Sequence, residues 1–295
     1  VKRLFTLSKI ANADLVFIHR EASLIGPPLF EFILYRFYKK KIIFDFDDAI
    51  WLKNVSDANQ FWSWLKNPKK TVNNLKYAHT IIAGNDYLAD FARKFNSSVQ
   101  TIPTTIDIGY HIPTKRIEKN YINIGWTGSD TTIQHFKLAI PVLKRIKNKY
   151  GNRINIILIS NKSIDQNDLQ IQFINWKKET EIADLSLLDI GIMPLPNDEW
   201  ANGKCGFKGL QYMALKIPTV MSTVGVNCSI IKHTVNGYLA ESEDEWLEYL
   251  SLLIENETVR TEIGNRGYKT VKEKYSVDAQ KDKYLQTIRS VALSQ

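Results

Sequence analysis

The residues best suited to bind an anion lie between positions 197 and 220, in the segment NDEWANGKCGFKGLQYMALKIPTV. Lys204 and Lys208 stand among glycines, and the apolar spacing that begins at Phe207 predicts a helix directly after this loop. The apolar runs at 187–195 and 218–221 predict buried strands on either side. The free N–H groups and the dipole of a helix N-terminus attract negative charge, and a lysine adds a mobile cation. The pattern predicts a phosphate ligand, although a solvated surface loop before an amphipathic helix would carry the same residues.

The segment GKCGFKGLQYMALKIPTV resembles the nucleotide-sugar signature of the retaining glycosyltransferases of family 4, which belong to the GT-B class. By this resemblance Lys208 is the diphosphate ligand and takes part in catalysis. Gln211 stands where the family has a ribose-binding glutamate, and Gly203 stands where it has the first glutamate of an E-x7-E pair. Both family carboxylates are therefore absent. Asp198 or Glu199 is the expected substitute, and the predicted donor-binding set includes Glu199.

The resemblance implies an α/β protein of the GT-B class, with two Rossmann-like domains whose parallel sheets face each other across a cleft. We expect an acceptor-side domain over residues 1–112, a donor-binding domain over 113–276 and a terminal helix over 277–295 that crosses back to the first domain. No Gly-rich strand, turn and helix precede the apolar strand at 15–20, so the first domain is expected to be incomplete. The alternation of strand and helix patterns favours an α/β architecture without the resemblance.

A second predicted strand, at 42–48, ends in two adjacent carboxylates, Asp47 and Asp48. Open parallel sheets place their ligands at the carboxyl ends of strands. In the family, the matching strand commonly ends in His-Asp facing the sugar, so the resemblance makes Asp47 a catalytic candidate that contacts the donor sugar or the acceptor hydroxyl. Asp48 could instead cap a following helix. No metal site is predicted, because GT-B enzymes generally use none.

A third group of predicted site residues lies after the strand predicted at 121–126. Gly128 and Ser129 form a small-residue turn there, before a predicted helix. Such a turn offers hydroxyl and backbone N–H groups to a phosphate. In the family this turn faces the donor diphosphate and often carries a cation, which is missing here. The resemblance therefore gives more electrostatic weight to Lys208 and to Lys204. Asp107, in a block that resembles the bend into the interdomain linker, is expected to be architectural.

The net charge of +8 is uneven, since residues 1–118 carry 17 Lys and Arg against 11 Asp and Glu. Basic surface attracts nucleic acid, anionic membranes or phosphorylated acceptors. The sequence has no nucleic-acid-binding motif, so no nucleic acid partner is predicted. A membrane surface or a lipid phosphate is the preferred explanation, and a general bias of the composition toward lysine is the alternative. Cys205 and Cys228 lack metal-ligand spacing and are predicted to be free thiols.

A helix predicted after Pro28, LFEFILYRFYKKK, combines aromatic residues with a basic cluster at Lys39, Lys40 and Lys41. It could lie in a membrane interface, or it could pack on its sheet as the crossover between two parallel strands. The aromatic segment at 58–70 is predicted to be either a lid over the acceptor or a plain packing helix.

Taken with the resemblance, these features predict transfer of a sugar from a nucleotide-diphosphate sugar to an acceptor hydroxyl with retention of configuration. The donor is a substrate, and no cofactor is expected. The acceptor would be a glycan or a lipid-linked glycan of a bacterial surface polysaccharide. The location would be cytoplasmic, with peripheral contact at the inner face of the membrane. A catalytically inactive nucleotide-sugar binding subunit is the alternative, because both family glutamates are missing.

Overall fold

The computed structural model describes residues 10, 12–22, 26–52, 69–114, 119–165 and 167–294. The chain divides into two compact units. The first unit consists of Val1–Thr104, Asn202–Cys205 and Gln280–Gln295. The second unit consists of Thr105–Ala201 and Gly206–Ala279. Most of the predicted lid, residues 58–68, lies outside the described residues. The domain limits expected from the sequence stay a prediction.

The sheet of the first unit has four strands, all parallel, in the order β1-β2-β3-β4. Their bounds are β1 Leu15–His19, β2 Lys41–Phe46, β3 Thr80–Ala83 and β4 Val99–Thr101. A parallel sheet is covered on both faces, which is why β2 and β3 read as nearly continuous apolar runs. The pairing of β1 with β2 places His19 opposite Asp45, so polar residues gather at the carboxyl end of this sheet.

Helices cover this sheet on its two faces. Their bounds are Leu29–Arg36, Lys69–Tyr77, Asp86–Arg93 and, from residue 280 onward, the helix Val277–Leu293. Val291 of this last helix packs against Ile43 and Ile82 of the sheet. The carboxyl-terminal helix therefore contributes to the hydrophobic core of the first unit.

The sheet of the second unit has six parallel strands in the order β10-β9-β8-β5-β6-β7. Their bounds are β5 Ile122–Gly128, β6 Ile154–Ser160, β7 Gln172–Asn175, β8 Ile190–Met193, β9 Thr219–Ser222 and β10 Tyr238–Ala240. The strand order reverses between the neighbours β5 and β8. In an open parallel sheet, the carboxyl ends of the strands at such a reversal form the usual ligand crevice. The chain leaves β5 at Gly128, so the predicted small-residue turn lies at this place.

The helices of the second unit pack on both faces of this sheet. The α-helices are Ile133–Leu138, Ile140–Tyr150, Glu181–Leu185, Glu199–Asn202, Phe207–Ala214, Asn227–Ile230, Glu243–Glu255 and Glu257–Thr270. A turn of π-helix, Val271–Tyr275, follows the last of these helices. The parallel sheets with their helices confirm the predicted α/β fold class. One predicted loop differs, because residues after Asp198 form a helical turn.

The helix Phe207–Ala214, called the motif helix below, is fixed to the sheet by one buried tyrosine. The hydroxyl of Tyr212 accepts a hydrogen bond of 2.8 Å from the backbone N–H of Thr127, near the end of β5. The ring of Tyr212 lies against Gly191 of β8, where a Cβ atom would come within 2.5 Å of it. The hydroxyl therefore joins the motif helix to the strand that ends in the Gly128 turn.

Replacing Tyr212 by Phe should lower the free energy of unfolding by about 1–3 kcal/mol, because the buried N–H of Thr127 would lose its acceptor. Tyr121→Phe, which removes the hydroxyl of a ring that is 40% exposed, is the matched control. Urea unfolding of both variants beside the wild type measures the difference. Equal stability of the two variants would show that the Tyr212 hydroxyl does not hold Thr127.

Candidate functional site

The motif helix begins with an N-terminus that no side chain caps. Its N-cap residue is Gly206, which has a φ of 72° in the left-handed region and makes no capping hydrogen bond through a side chain. A Cβ atom at this position would also lie 2.2 Å from Ile230 Cδ1, so glycine is required twice over. The first-turn N–H groups have no acceptor within the helix, and they lie at the positive end of its dipole. This end of the helix can therefore receive an anion.

The side chain of Lys208, in the first turn of the motif helix, runs past the Gly128 turn. A Cβ atom added to Gly128 would lie 2.8 Å from Lys208 Cε and 2.2 Å from the indole of Trp126. The Lys208 ammonium lies 5.5 Å from the centre of the Trp126 ring. The structure thus brings together Gly128 and Lys208, which are 80 positions apart in the chain and were predicted separately to face the diphosphate.

The turn after Gly128 differs in detail from the expectation of free backbone donors. The N–H of Asp130 donates to Asn161 Oδ1 at 2.8 Å, and the N–H of Thr131 donates to Asp130 Oδ1 at 2.8 Å. Ser129 Oγ lies 2.8 Å from Thr131 Oγ1. Two backbone donors of the turn are therefore already engaged. Its hydroxyl groups, together with Lys208 and the motif helix N-terminus, are the groups best placed to meet a phosphate.

Gln211, predicted at the ribose, lies on the motif helix one turn after Lys208 and is only 3% exposed. Its amide nitrogen lies 3.4 Å from Glu181 Oε1 and 3.5 Å from His111 Nε2. Burial alone would raise the pKa of Glu181, but hydrogen bonds from Lys178, Trp176 and Gln211 outweigh it and lower that pKa. A carboxylate therefore lies beside the position from which the family glutamate is missing.

The two acidic substitutes proposed from the sequence, Asp198 and Glu199, lie just before and at the start of one helical turn. Asp198 accepts a hydrogen bond of 2.7 Å from the N–H of Ala201 and so caps the helical turn Glu199–Asn202. Glu199 is exposed on that turn. Its role in donor binding stays a prediction.

The absence of a glutamate at Gly203 has a steric cause. A Cβ atom there would lie 2.5 Å from the Cβ of Ala49 and 3.0 Å from its backbone nitrogen. Backbone cannot yield as a flexible side chain can, so no larger residue fits at this position. Residues 202–205 belong to the first unit, where Asn85 donates to the carbonyl oxygen of Lys204 at 2.9 Å.

Lys204 lies against a carboxylate of the first unit. Its ammonium makes an ion pair of 2.8 Å with Asp48, in which both side chains are 18% exposed. The neighbouring thiol of Cys205 donates to the carbonyl oxygen of Asp47 at 3.2 Å. Burial raises the pKa of Cys205 to about 12, so this group is a neutral thiol. Both cysteines are free, as predicted. The contact of Lys204 with a donor diphosphate stays a prediction, and its charge is largely balanced where it lies.

Asp47 and its neighbours form a charged cluster at the carboxyl ends of β1 and β2. Arg20 donates to the two carboxylate oxygens of Asp47 at 2.6 Å and 2.9 Å, and it lies 3.1 Å from Asp48. His19 Nδ1 lies 2.6 Å from Asp45 Oδ2. The alternating positive and negative groups give a surface that can hold hydroxyl groups by donating and by accepting hydrogen bonds.

The pKa values of Asp45, in β2, and of Asp47, directly after β2, are shifted in opposite directions. Burial raises the pKa of Asp45 more than its hydrogen bond with His19 lowers it. Burial would also raise the pKa of Asp47, but the hydrogen bonds and charge of Arg20, with the charge of His19, lower it. Asp47 is therefore an ionised hydrogen-bond acceptor at neutral pH rather than a proton donor.

Four residues of these clusters were missed by reading the sequence: His19, Arg20, His111 and Glu181. The first two could have been found, since β1 ends at His19 and Arg20 follows it as Asp47 follows β2, and parallel neighbours end at the same sheet edge. The other two carried no local signal. They lie 100 and 30 positions from Gln211 and meet it only in the folded second unit.

Asp107 has the architectural role expected for it. Its carboxylate accepts a hydrogen bond of 2.8 Å from the N–H of Gly109, and its carbonyl oxygen accepts from the N–H of His111 at 2.9 Å. This turn holds His111 in the second unit, buried beside Gln211.

Two further properties concern only the described part of the chain. No group of three or more His, Cys, Asp or Glu side chains there is arranged to hold a metal ion. None of the helices in these ranges has the length and apolar character that crossing a bilayer requires.

Gly128→Ala should displace Lys208, because the added methyl group would overlap the buried Trp126 ring and the Lys208 chain. Overpacking of this kind costs about 1–3 kcal/mol of stability, and nucleoside-diphosphate binding should weaken with it. Thermal unfolding with and without UDP, ADP, GDP and CDP measures both effects. Thr261→Ala, at an exposed position of the helix Glu257–Thr270, adds no volume and is the control. Wild-type stability and ligand response in Gly128→Ala would contradict the close approach described above.

Comparisons with known proteins gave one family match and several similar folds. Residues 127–270 match the family model described as Glycosyl transferases group 1. Comparison with curated protein sequences gave no match.

Among solved structures, the chain is similar to HepE from Anabaena in complex with UDP and glucose, with a TM-score of 0.75 and 13% identity over 97% of this chain and 80% of that one. A glycosyltransferase from Rickettsia africae has a TM-score of 0.72 and 12% identity over 100% of this chain and 81% of its own. Sucrose-phosphate synthase from Thermosynechococcus elongatus has a TM-score of 0.66 and 11% identity over 97% of this chain and 76% of its own. The chain thus has the fold of the GT-B glycosyltransferases, and its residues 127–270 match the family model of the glycosyl transferases group 1.

Proposed function

We propose that this protein transfers a sugar from a nucleoside-diphosphate sugar to an acceptor hydroxyl, with retention of the anomeric configuration. The observation that carries the proposal is the position of Lys208, which lies beside the Gly128 turn at the uncapped N-terminus of the motif helix. This place is also the strand-order reversal of the second unit. HepE, which has a similar fold, was solved with UDP-glucose, and a nucleoside-diphosphate sugar is the donor that we propose here. Retention rests on the resemblance to family 4.

The chemistry requires positive charge at the leaving group. As the bond between the anomeric carbon and the phosphate oxygen breaks, the diphosphate gains negative charge. Cations and N–H groups fixed in advance stabilise that charge more than they stabilise the ground state. Lys208 and the first-turn N–H groups of the motif helix would do so, with help from Ser129.

The acceptor side of the reaction is proposed to use the charged cluster around Asp47. Because Arg20 lowers the pKa of Asp47, this carboxylate is a weak base. It is better suited to accept a hydrogen bond from a sugar or acceptor hydroxyl, and so to orient that hydroxyl, than to remove its proton. We propose this orienting role for Asp47.

A second candidate function is nucleotide-sugar binding without transfer. The observation in its favour is the loss of both family carboxylates, with Gly203 leaving no room for a side chain. Mass spectrometry of glycan products, with the nucleotide sugar that binds and a panel of lipid-linked and free glycan acceptors, separates the two. Donor binding without any glycosylated or hydrolysed product would favour the binding subunit.

Lys208→Ala should weaken nucleoside-diphosphate binding about 10- to 100-fold, because a hydrogen bond to a charged group contributes about 1.5–3 kcal/mol. The control, Lys137→Ala, removes an exposed lysine from the helix Ile133–Leu138. Thermal shifts with UDP, ADP, GDP and CDP measure the effect, since a ligand at a hundred times its dissociation constant adds about 2.7 kcal/mol of stability. Wild-type nucleoside-diphosphate binding and a wild-type transfer rate in Lys208→Ala would contradict the assignment of Lys208 to the diphosphate site.

We also propose that the protein acts at the cytoplasmic face of a membrane, on a lipid-linked glycan of a bacterial surface polysaccharide. The helix Leu29–Arg36 buries Glu31 and Leu34, whereas Leu29, Phe32 and Tyr35 are exposed, and so is Phe37 directly after it. A groove beside these rings is lined by Tyr35, Arg36, Lys39, Lys40 and His79. Exposed rings beside a basic groove fit a lipid surface with anionic headgroups.

Vesicles of phosphatidylglycerol should bind the protein more strongly than vesicles of phosphatidylcholine. Arg36→Gln with Lys39→Gln should weaken that binding about 5-fold for each charge removed, at about 1 kcal/mol per basic residue near the surface. Phe37→Ser should weaken it further by removing a ring that is 70% exposed. Co-sedimentation at low salt measures the effect, with Lys137→Gln and Lys272→Gln together, which also remove two exposed charges, as the charge-matched control. Equal binding to both lipids would contradict the proposal that this surface binds a membrane. So would a loss of vesicle binding in the control as large as the loss in the Arg36 and Lys39 variant.

A further inference from the structure

Gln211 occupies the position at which the family resemblance places a ribose-binding glutamate, and its amide group has a defined orientation. The nitrogen Nε2 lies 3.4 Å from Glu181 Oε1 and 3.5 Å from His111 Nε2. An amide nitrogen has two hydrogens to donate, and two side-chain atoms stand opposite it. Within the described residues, no hydrogen bond to the amide oxygen of Gln211 is present.

The tautomer of His111 follows from its second contact. Its Nδ1 atom lies 3.0 Å from the carbonyl oxygen of Asp107. A carbonyl oxygen can only accept, so Nδ1 carries the hydrogen of the neutral ring and Nε2 carries a lone pair. His111 Nε2 is therefore an acceptor for Gln211. The turn that begins at Asp107 fixes the ring in this orientation, because the carbonyl oxygen of Asp107 also accepts a hydrogen bond of 2.9 Å from the backbone N–H of His111.

Glu181 is suited to hold another residue rather than to bind a substrate. Its Oε1 accepts from Trp176 Nε1 at 3.2 Å and from Gln211, and its Oε2 accepts from Lys178 at 3.2 Å. The Tyr110 hydroxyl lies 3.3 Å from Oε2 and 3.2 Å from the carbonyl oxygen of Lys178, so its single hydrogen is shared between two acceptors. Three donors and this shared hydrogen surround the ionised carboxylate. A ribose hydroxyl would have to displace one of them.

We infer that Glu181 and His111 are positioning residues that fix the Gln211 amide, so that its oxygen accepts a hydrogen bond from a ribose hydroxyl of the donor nucleotide. This inference rests on the proposed function and deepens it. With both amide hydrogens held, the oxygen of a neutral glutamine presents the acceptor that a glutamate oxygen would present. A glutamate at 211 would instead place a second carboxylate within about 3.4 Å of Glu181, where two negative charges repel each other.

The test exchanges the acid and the amide between positions 181 and 211. Binding of UDP and of 2′,3′-dideoxy-UDP is measured by calorimetry, and ADP, GDP and CDP with their dideoxy forms replace them if UDP does not bind. Wild type should prefer the ribose form about 10-fold, the factor that corresponds to 1.4 kcal/mol. Glu181→Gln should reduce this preference toward 1, because the Gln211 amide can then turn. Gln211→Glu alone should bind the nucleotide about 10-fold more weakly than wild type.

The double exchange, Glu181→Gln with Gln211→Glu, restores one carboxylate and one amide in contact and should recover the ribose preference. His111→Phe, which keeps a ring but removes the acceptor, is an independent variant and should also reduce the preference. Inorganic pyrophosphate binding should stay within 2-fold of wild type in every variant, since Lys208 and the motif helix N-terminus are unchanged. A merely structural role would weaken pyrophosphate and nucleotide together.

The contrary outcomes are distinct. Tighter nucleotide binding by Gln211→Glu alone would overturn the inference, because it would show that the family glutamate is accommodated beside Glu181. An unchanged ribose preference in Glu181→Gln and His111→Phe would overturn it as well, while leaving the donor site in place. Absence of binding of every nucleoside diphosphate to wild type would overturn the proposed function and this inference with it.

Discussion

The hydrogen bond between the Tyr212 hydroxyl and the N–H of Thr127 is the constraint on which the proposed donor site depends. It is buried, and burial raises the pKa of Tyr212 further, so the hydroxyl stays neutral. One end of the bond belongs to the motif helix, and the other belongs to β5 directly before the Gly128 turn. Without it, the helix and the turn would still be near each other in the fold, but this buried polar contact would no longer fix their separation. A lysine and a turn that act on one diphosphate need that separation to be constant.

The two family carboxylates are absent for different physical reasons. At Gly203 the cause is steric, since the backbone of Ala49 occupies the space that any side chain would need. At Gln211 the cause that we infer is electrostatic, since Glu181 already places a buried negative charge 3.4 Å away. Neither loss removes acidic groups from the neighbourhood. Asp48 lies beside Lys204, the residue after Gly203, and Glu181 lies beside Gln211. Missing motif residues therefore do not show by themselves that the site has lost its chemistry.

The sequence was sufficient for the features that depend on local pattern. The apolar run at 218–221 predicts a strand, which the structure has at Thr219–Ser222, and the helix that begins at Phe207 follows from its apolar spacing. Lys208 and Gly128 were also found, because each lies at the end of a strand or the start of a helix. The partners of Asp47 and Gln211 were not found. Arg20 needed the pairing of β1 with β2, and His111 needed a contact over 100 positions that no local spacing encodes.

Charge distribution explains why Lys208 has the central role in the proposed donor site. The Gly128 turn contributes no cation, and Asp130 adds a carboxylate whose oxygen holds the N–H of Thr131. Lys204 lies in the first unit, where Asp48 balances its charge. The second unit must therefore attract a diphosphate chiefly with Lys208 and with the dipole of the motif helix. A dipole acts only within about the first turn, and Lys208 lies in that turn, so both contributions converge on the same few ångströms. This convergence makes the position of a single lysine, and hence the Tyr212 contact that fixes its helix, decisive for the whole site.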